Sequence, residues 1–101
     1  MARLIFSRRA KVDLLEVWNY LAEKAGIETA DRFTRFLYGR CGFLAASPGL
    51  GQLQPSIGPT IRTFSAKSYT IFFERLPDGI HVFRIAHGSR DWHNLFPTAD
   101  D

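Results

Sequence analysis

The stretch Tyr69-Thr70-Ile71-Phe72-Phe73-Glu74-Arg75-Leu76-Pro77-Asp78-Gly79-Ile80-His81-Val82-Phe83-Arg84-Ile85-Ala86-His87-Gly88 decides the fold. Two runs rich in β-branched and aromatic residues flank Leu76-Pro77-Asp78-Gly79, and Asp-Gly between such runs signals a hairpin. The expectation is a pair of strands, Tyr69 to Arg75 and Ile80 to Gly88, with a third, Ile61 to Ala66, before them. Strict alternation puts Tyr69, Ile71 and Phe73 on one face and Phe72 on the other; in the last strand Val82 and Arg84 lie opposite Phe83 and Ile85. The sheet is therefore apolar on both sides. One layer of helices covers one side only, so the other calls for a partner or for the tail around Trp92, Leu95 and Phe96 to fold over it.

Upstream, residues 47–60 hold three Pro and three Gly among small and polar neighbours and form the one substantial loop, expected to be mobile. Before it, Leu14, Val17, Trp18, Leu21, Ala22 and Ala25 recur three or four apart, which gathers them on one helical face ended by Gly26. A second helix begins near Thr29 or Ala30, buries Ala30, Phe33, Leu37, Cys41 and Leu44, and ends before Pro48-Gly49. So short a connection makes the two helices an antiparallel hairpin. Gly39 and Gly42 each cost about 1 kcal/mol inside a helix relative to Ala, so close packing against the first helix, or a kink, is expected there. Arg3 to Ser7 alternates as a strand, and Ser7 is placed to cap the first helix. The order is β-α-α-β-β-β, an α+β fold with a helical hairpin on a largely antiparallel four-stranded sheet.

The chain has 101 residues, 46% hydrophobic and 14% aromatic, which fits one domain spanning 1–101 and excludes a multidomain enzyme. Nine Phe supply large buried areas and argue against disorder. Cys41 is the single cysteine, so no internal disulfide scaffold exists. No signal-peptide core or membrane span is visible, and a soluble cytoplasmic protein is expected. The net charge of +3 conceals an uneven distribution: Arg32, Arg35, Arg40, Arg62 and Lys67 lie between Arg32 and Phe73, with no acidic residue among them. Such a stretch favours an acidic polypeptide or a nucleic acid as partner.

Gly49-Leu50-Gly51-Gln52-Leu53-Gln54 follows a helix rather than a strand and is no dinucleotide loop. His81, His87 and His93 recur at intervals of six, the first two sharing a face in an unbroken strand, but no carboxylate or thiolate set accompanies them. Neither a metal nor a cofactor is assigned. Cys41, on the apolar stripe of its helix, reads as a small buried hydrophobe rather than a nucleophile. The richest constellation is His87-Gly88-Ser89-Arg90-Asp91, with Arg62 and Arg84 on neighbouring strands, a candidate basic cluster for phosphate. Its structural alternative is that Arg90 and Asp91 tie the strand end to the tail while Gly88 marks a bulge or turn.

Taken in order, Asp13-Leu14, Tyr20, Ala30-x-x-Phe33, Pro48-x-x-Gly51, Ile61-Arg62, Tyr69-x-Ile71 and His87-Gly88-Ser89-Arg90-Asp91 resemble the ParE branch of the RelE/ParE toxins over nearly the whole chain. The resemblance implies the toxin half of a type II toxin–antitoxin pair, a ParD-like antitoxin with an acidic, amphipathic carboxy-terminal region, a hetero-oligomer of the two, and DNA gyrase as the target. It places antitoxin or target contacts among Arg62, Tyr69, Phe72, His87, Arg90, Asp91 and Trp92. The RelE branch cuts messenger RNA on the ribosome; here that chemistry would fall to Arg62, Arg84, His87 and His93, but no Tyr follows Tyr69 and the lysine patch is reduced to Lys67. The expectation is therefore a non-enzymatic toxin, with the ribonuclease and a non-toxic partner-binding module as alternatives.

Overall fold

The computed structural model describes residues 2–47 and 49–88. The chain runs β1 (Arg3–Phe6), α1 (Arg8–Ala25), α2 (Ile27–Ala46), β2 (Gln52–Leu53), β3 (Arg62–Ala66), β4 (Tyr69–Leu76) and β5 (Gly79–His87). Among the described residues the strands form one mixed sheet in the order β1-β5-β4-β3-β2. The β1–β5 pair is parallel; every other neighbouring pair is antiparallel. The expected architecture is present with one strand more than the four expected: Gln52 and Leu53, inside the long loop, pair with Thr63 and Arg62. Two residues amid Gly and Pro carry no periodicity for a sequence pattern to detect.

Ser7 caps α1, its Oγ accepting from the Ala10 N–H at 3.0 Å. Gly26 at φ 99° closes α1 and opens α2 directly, so α2 starts at Ile27 rather than near Thr29. At the other end of α2 the Arg75 guanidinium donates to the carbonyls of Leu44, at 3.0 Å, and Ser47. A cation there also meets the negative end of the helix dipole. Ala30, Leu37, Cys41 and Leu44 are fully buried, while Phe33 is half-buried. Gly39 and Gly42 have no neighbour within 4 Å of where a Cβ would stand, so neither serves close packing against α1.

Ile71, Phe73, Ile80, Val82 and Ile85 join Ala10, Val17, Leu37, Cys41 and Leu44 in the core. Strict alternation cannot place both Val82 and Ile85 there. A β-bulge resolves it: Phe73 pairs with Val82 and Phe72 with Arg84, leaving Phe83 as the extra residue on β5. The bulge inverts the inward and outward parity of everything after it. The expected opposition of Val82 to Ile85 is thereby corrected, and so is the expected common face of His81 and His87. His81 instead meets Phe83 edge to face at 4.6 Å and lies 4.0 Å from Glu74. No group of His, Cys, Asp or Glu suited to a metal occurs among the described residues.

The face of the sheet away from the helices is not left bare. Phe72 is fully buried, and Thr63 and Thr70 beside it are nearly so. Phe72 thus presents no surface to a partner, contrary to its expected role. The tail residues Trp92, Leu95 and Phe96 lie outside the described residues. No helix among the described residues is long and apolar enough to cross a membrane.

Candidate functional site

Two places gather the polar and aromatic chemistry, one on each side of β5. The first lies where β1 stops. Phe6 pairs with Val82, and β5 continues to His87 without a strand beside it. Side chains and backbone from the start of α1 take over the exposed edge. The Ser7 N–H donates to the Val82 carbonyl at 2.9 Å, and Ser7 Oγ donates to the Phe83 carbonyl at 2.7 Å. Asp13 Oδ2 accepts from the Ile85 N–H at 2.9 Å. The same carboxylate receives Arg84 through Nε at 2.9 Å and Nη2 at 3.3 Å, and Arg9 Nε approaches Oδ1 at 3.2 Å. Asp13 is buried, so three donors offset the cost of removing its charge from water. This is structural chemistry, and it occupies Arg84.

The second place is the opposite end of the ladder, where β4 begins and β5 ends. Tyr69 pairs with His87 in register, and their rings meet edge to face at 5.0 Å. Phe33 from α2 packs on Tyr69 at 5.5 Å and on Phe36 at 5.7 Å. Burial raises the Tyr69 pKa, and the nearby Tyr20 phenol adds to the effect, so Tyr69 stays neutral and can donate but not act as a base near neutral pH. His87 is exposed. Gly88, at φ 73°, turns the chain away, its N–H donating to the Ser68 carbonyl at 2.6 Å and its carbonyl accepting from Thr70 Oγ1 at 3.2 Å. Gly88 is therefore a turn residue, and the bulge lies five residues earlier, at Phe83.

The expected basic cluster of Arg62, Arg84, His87 and Arg90 is not assembled by the described residues. Arg62 sits in the row of Phe73 and Val82, whereas His87 sits in the row of Tyr69 and Ala66. Four residues of strand separate those rows, roughly 13 Å. Arg62 Nη1 donates to the Gly51 carbonyl at 3.2 Å, and Arg84 is held by Asp13. Arg90, Asp91, Trp92 and His93 lie outside the described residues. Cys41 is fully buried, and burial pushes its thiol up to about 12, the opposite of an activated nucleophile.

Sequence reasoning missed Asp13 as a keystone. Its signal was an acid on the apolar stripe of α1 between Ala10 and Val17, a place where a charge persists only with partners. It also missed a row on α2. Arg40 lies 5.4 Å over the Phe36 ring and 5.8 Å over Phe43, and Lys67 lies 4.9 Å over Phe36.

The model of the family described as "ParE toxin of type II toxin-antitoxin system, parDE" matches residues 4–92. The chain is 31% identical over 83 residues to "Toxin ParE1" of Caulobacter vibrioides, covering 82% of this chain and 85% of that protein. It is 31% identical over 91 residues to "Toxin ParE1" of Mycobacterium tuberculosis H37Rv, covering 89% and 93%. Among solved structures, a chain of "Chromosomal ParDE TA system from P. aeruginosa" superposes with a TM-score of 0.75 at 22% identity, over 88% of this chain and 98% of that one.

Proposed function

Because the chain belongs to the ParE toxin family of the type II toxin–antitoxin system parDE, we propose that it inhibits DNA gyrase and is held inactive by a ParD-like antitoxin in a cytoplasmic hetero-oligomer. The observation that carries the reading is a family match running from β1 through His87-Gly88-Ser89-Arg90-Asp91-Trp92. The non-enzymatic form of the reading is supported by what the arginines do. A ribonuclease of the RelE kind would require Arg62, Arg84 and His87 to converge on one phosphate, with a base to take a proton. Here Arg84 neutralises a buried carboxylate, Arg62 holds a loop carbonyl at the far end of the ladder, and the neighbouring phenol is poised to stay protonated.

His87, Tyr69 and the following Arg90, Asp91 and Trp92 are the residues proposed to meet the target or antitoxin. The test is a paired assay on purified protein, gyrase supercoiling beside messenger RNA cleavage on ribosomes. Expected are loss of supercoiling and intact message, with the gyrase effect weakened by His87→Ala. Ribosome-dependent cuts with unaffected gyrase would reverse the reading. Full growth on expression without an antitoxin, at verified soluble levels, would instead point to a non-toxic binding module.

A further inference from the structure

The helices lie closest to β5 and β1, so β3 and β2 run out beyond the helical layer. On α2, Leu37, Cys41 and Leu44 face the sheet, and Tyr38 leans toward β1, meeting Phe6 at 5.3 Å. The opposite flank of the helix, at Arg32, Phe36, Arg40 and Phe43, therefore looks over the β3 side. Lys67, in the β3–β4 turn, confirms the direction by reaching the Phe36 ring. Across from this flank stands Phe64, which shares the helix side of the sheet with Ile71 and Ile85 and is only half-buried. Together they form an open groove with an aromatic floor and a cationic rim. Phe43 is 48% exposed, and Arg32, Arg40 and Lys67 are exposed.

We propose that this groove seats an acidic, amphipathic polypeptide segment, apolar side chains on Phe43 and Phe64 and carboxylates on Arg32, Arg40 and Lys67. The proposal rests on the toxin reading above in taking that segment to be the antitoxin's. Charge complementarity commits the groove to an anionic occupant, since no acidic residue occurs between Arg32 and Phe73. The rings decide between the two anionic polymers. Single-stranded nucleic acid gains affinity by stacking bases on free aromatic faces. Phe36 already carries both Lys67 and Arg40 against its ring and Phe33 beside it, which leaves no open platform for a base. Cations held over rings keep their outward N–H groups for carboxylates.

Lys67 adds a second mark. It is the one non-glycine residue with positive φ among the described residues, at 57°. That conformation is uncommon for a lysine. It points the chain of Lys67 back over α2.

The test compares the full chain with Arg40→Glu/Lys67→Glu, and with Arg8→Glu/Lys11→Glu at the exposed start of α1 as a charge-matched control. The probe is the small antitoxin encoded beside the toxin, titrated at low and high salt, with unlabelled oligouridylate as a second probe. Unchanged thermal melting of both variants establishes folding, and Arg40→Gln/Lys67→Gln gives a milder series. Expected are antitoxin binding weakened roughly tenfold or more by the groove reversal, steeper salt dependence of the parent, and little effect of the control. Parent-like binding by Arg40→Glu/Lys67→Glu would overturn the groove while leaving the toxin–antitoxin reading intact. Failure of the unmutated chain to bind the antitoxin would overturn both. Tighter binding of oligouridylate than of antitoxin, lost in the groove variant, would assign the groove to nucleic acid instead.

Discussion

At the scale of single residues the molecule turns on Asp13. One buried carboxylate closes the end of β5, holds Arg84 and meets Arg9. Removing it leaves the Ile85 N–H without its acceptor and Arg84 without its counter-charge. Asp13→Ala is therefore expected to destabilise by about 3–5 kcal/mol, the range for breaking a buried pair on one side. Asp13→Asn keeps an acceptor for the amide and loses the charge, so its loss should be clearly smaller. Denaturant melts of the two variants check the order. Equal losses would mean that charge alone matters, and a negligible loss for both would remove Asp13 from its place in the fold.

At the scale of elements, two glycines have opposite meanings. Gly39 lies within α2 with open space where a Cβ would go. Gly39→Ala should stabilise by about 0.5–1 kcal/mol through helix propensity alone. Gly79 opens β5 against the first residue of β1, and a Cβ there would overlap the Arg3 carbonyl oxygen and nitrogen. Gly79→Ala should push β1 off the sheet and lower the unfolding midpoint sharply. Thermal melts separate the two, and a stabilised Gly79→Ala would refute the close approach. The elements themselves were largely legible: Ser7 and Gly26 as caps, the apolar stripes of both helices, and the Asp78-Gly79 turn follow from local rules. The bulge at Phe83 was not legible. Its cause is tertiary, because β1 ends at Phe6 and Asp13 comes down on Ile85. An alternating pattern contains no trace of an extra residue, so His81 and Arg84 were misplaced along with it.

At the scale of the whole molecule, burial sets the response to alkali. Cys41 titrates at about 12 instead of its ordinary 9.0 because it is desolvated, and Tyr69 is raised for the same principal reason. In the unfolded chain both ionise near their ordinary values, so the unfolded state binds fewer protons at high pH. The sign follows: the contribution of these groups is fully present below about pH 9 and is lost as pH climbs toward 12. Urea midpoints at rising alkaline pH should fall, and Cys41→Ala should flatten that fall. A parent whose midpoint does not move over this range would contradict the burial of the thiol. The candidate site was less legible than the fold for a related reason. Arg62, Tyr69 and His87 are where the sequence put them in their strands, but register separates Arg62 from His87, and register is a property of pairs of strands.

The parallel pairing of the first strand with the last has a consequence for the chain as it is made. Arg3 meets Asp78 across a separation of 75 residues, so at about 5–20 residues per second β1 waits roughly 4–15 s on the ribosome for its neighbour. Throughout that interval Leu4-Ile5-Phe6 is an unpaired, strongly β-forming run. Arg3 before it and Arg8-Arg9 after it are the charges that keep such a run from pairing with another nascent chain. The arginines at the start of this protein thus guard its synthesis before any of them serves the finished sheet.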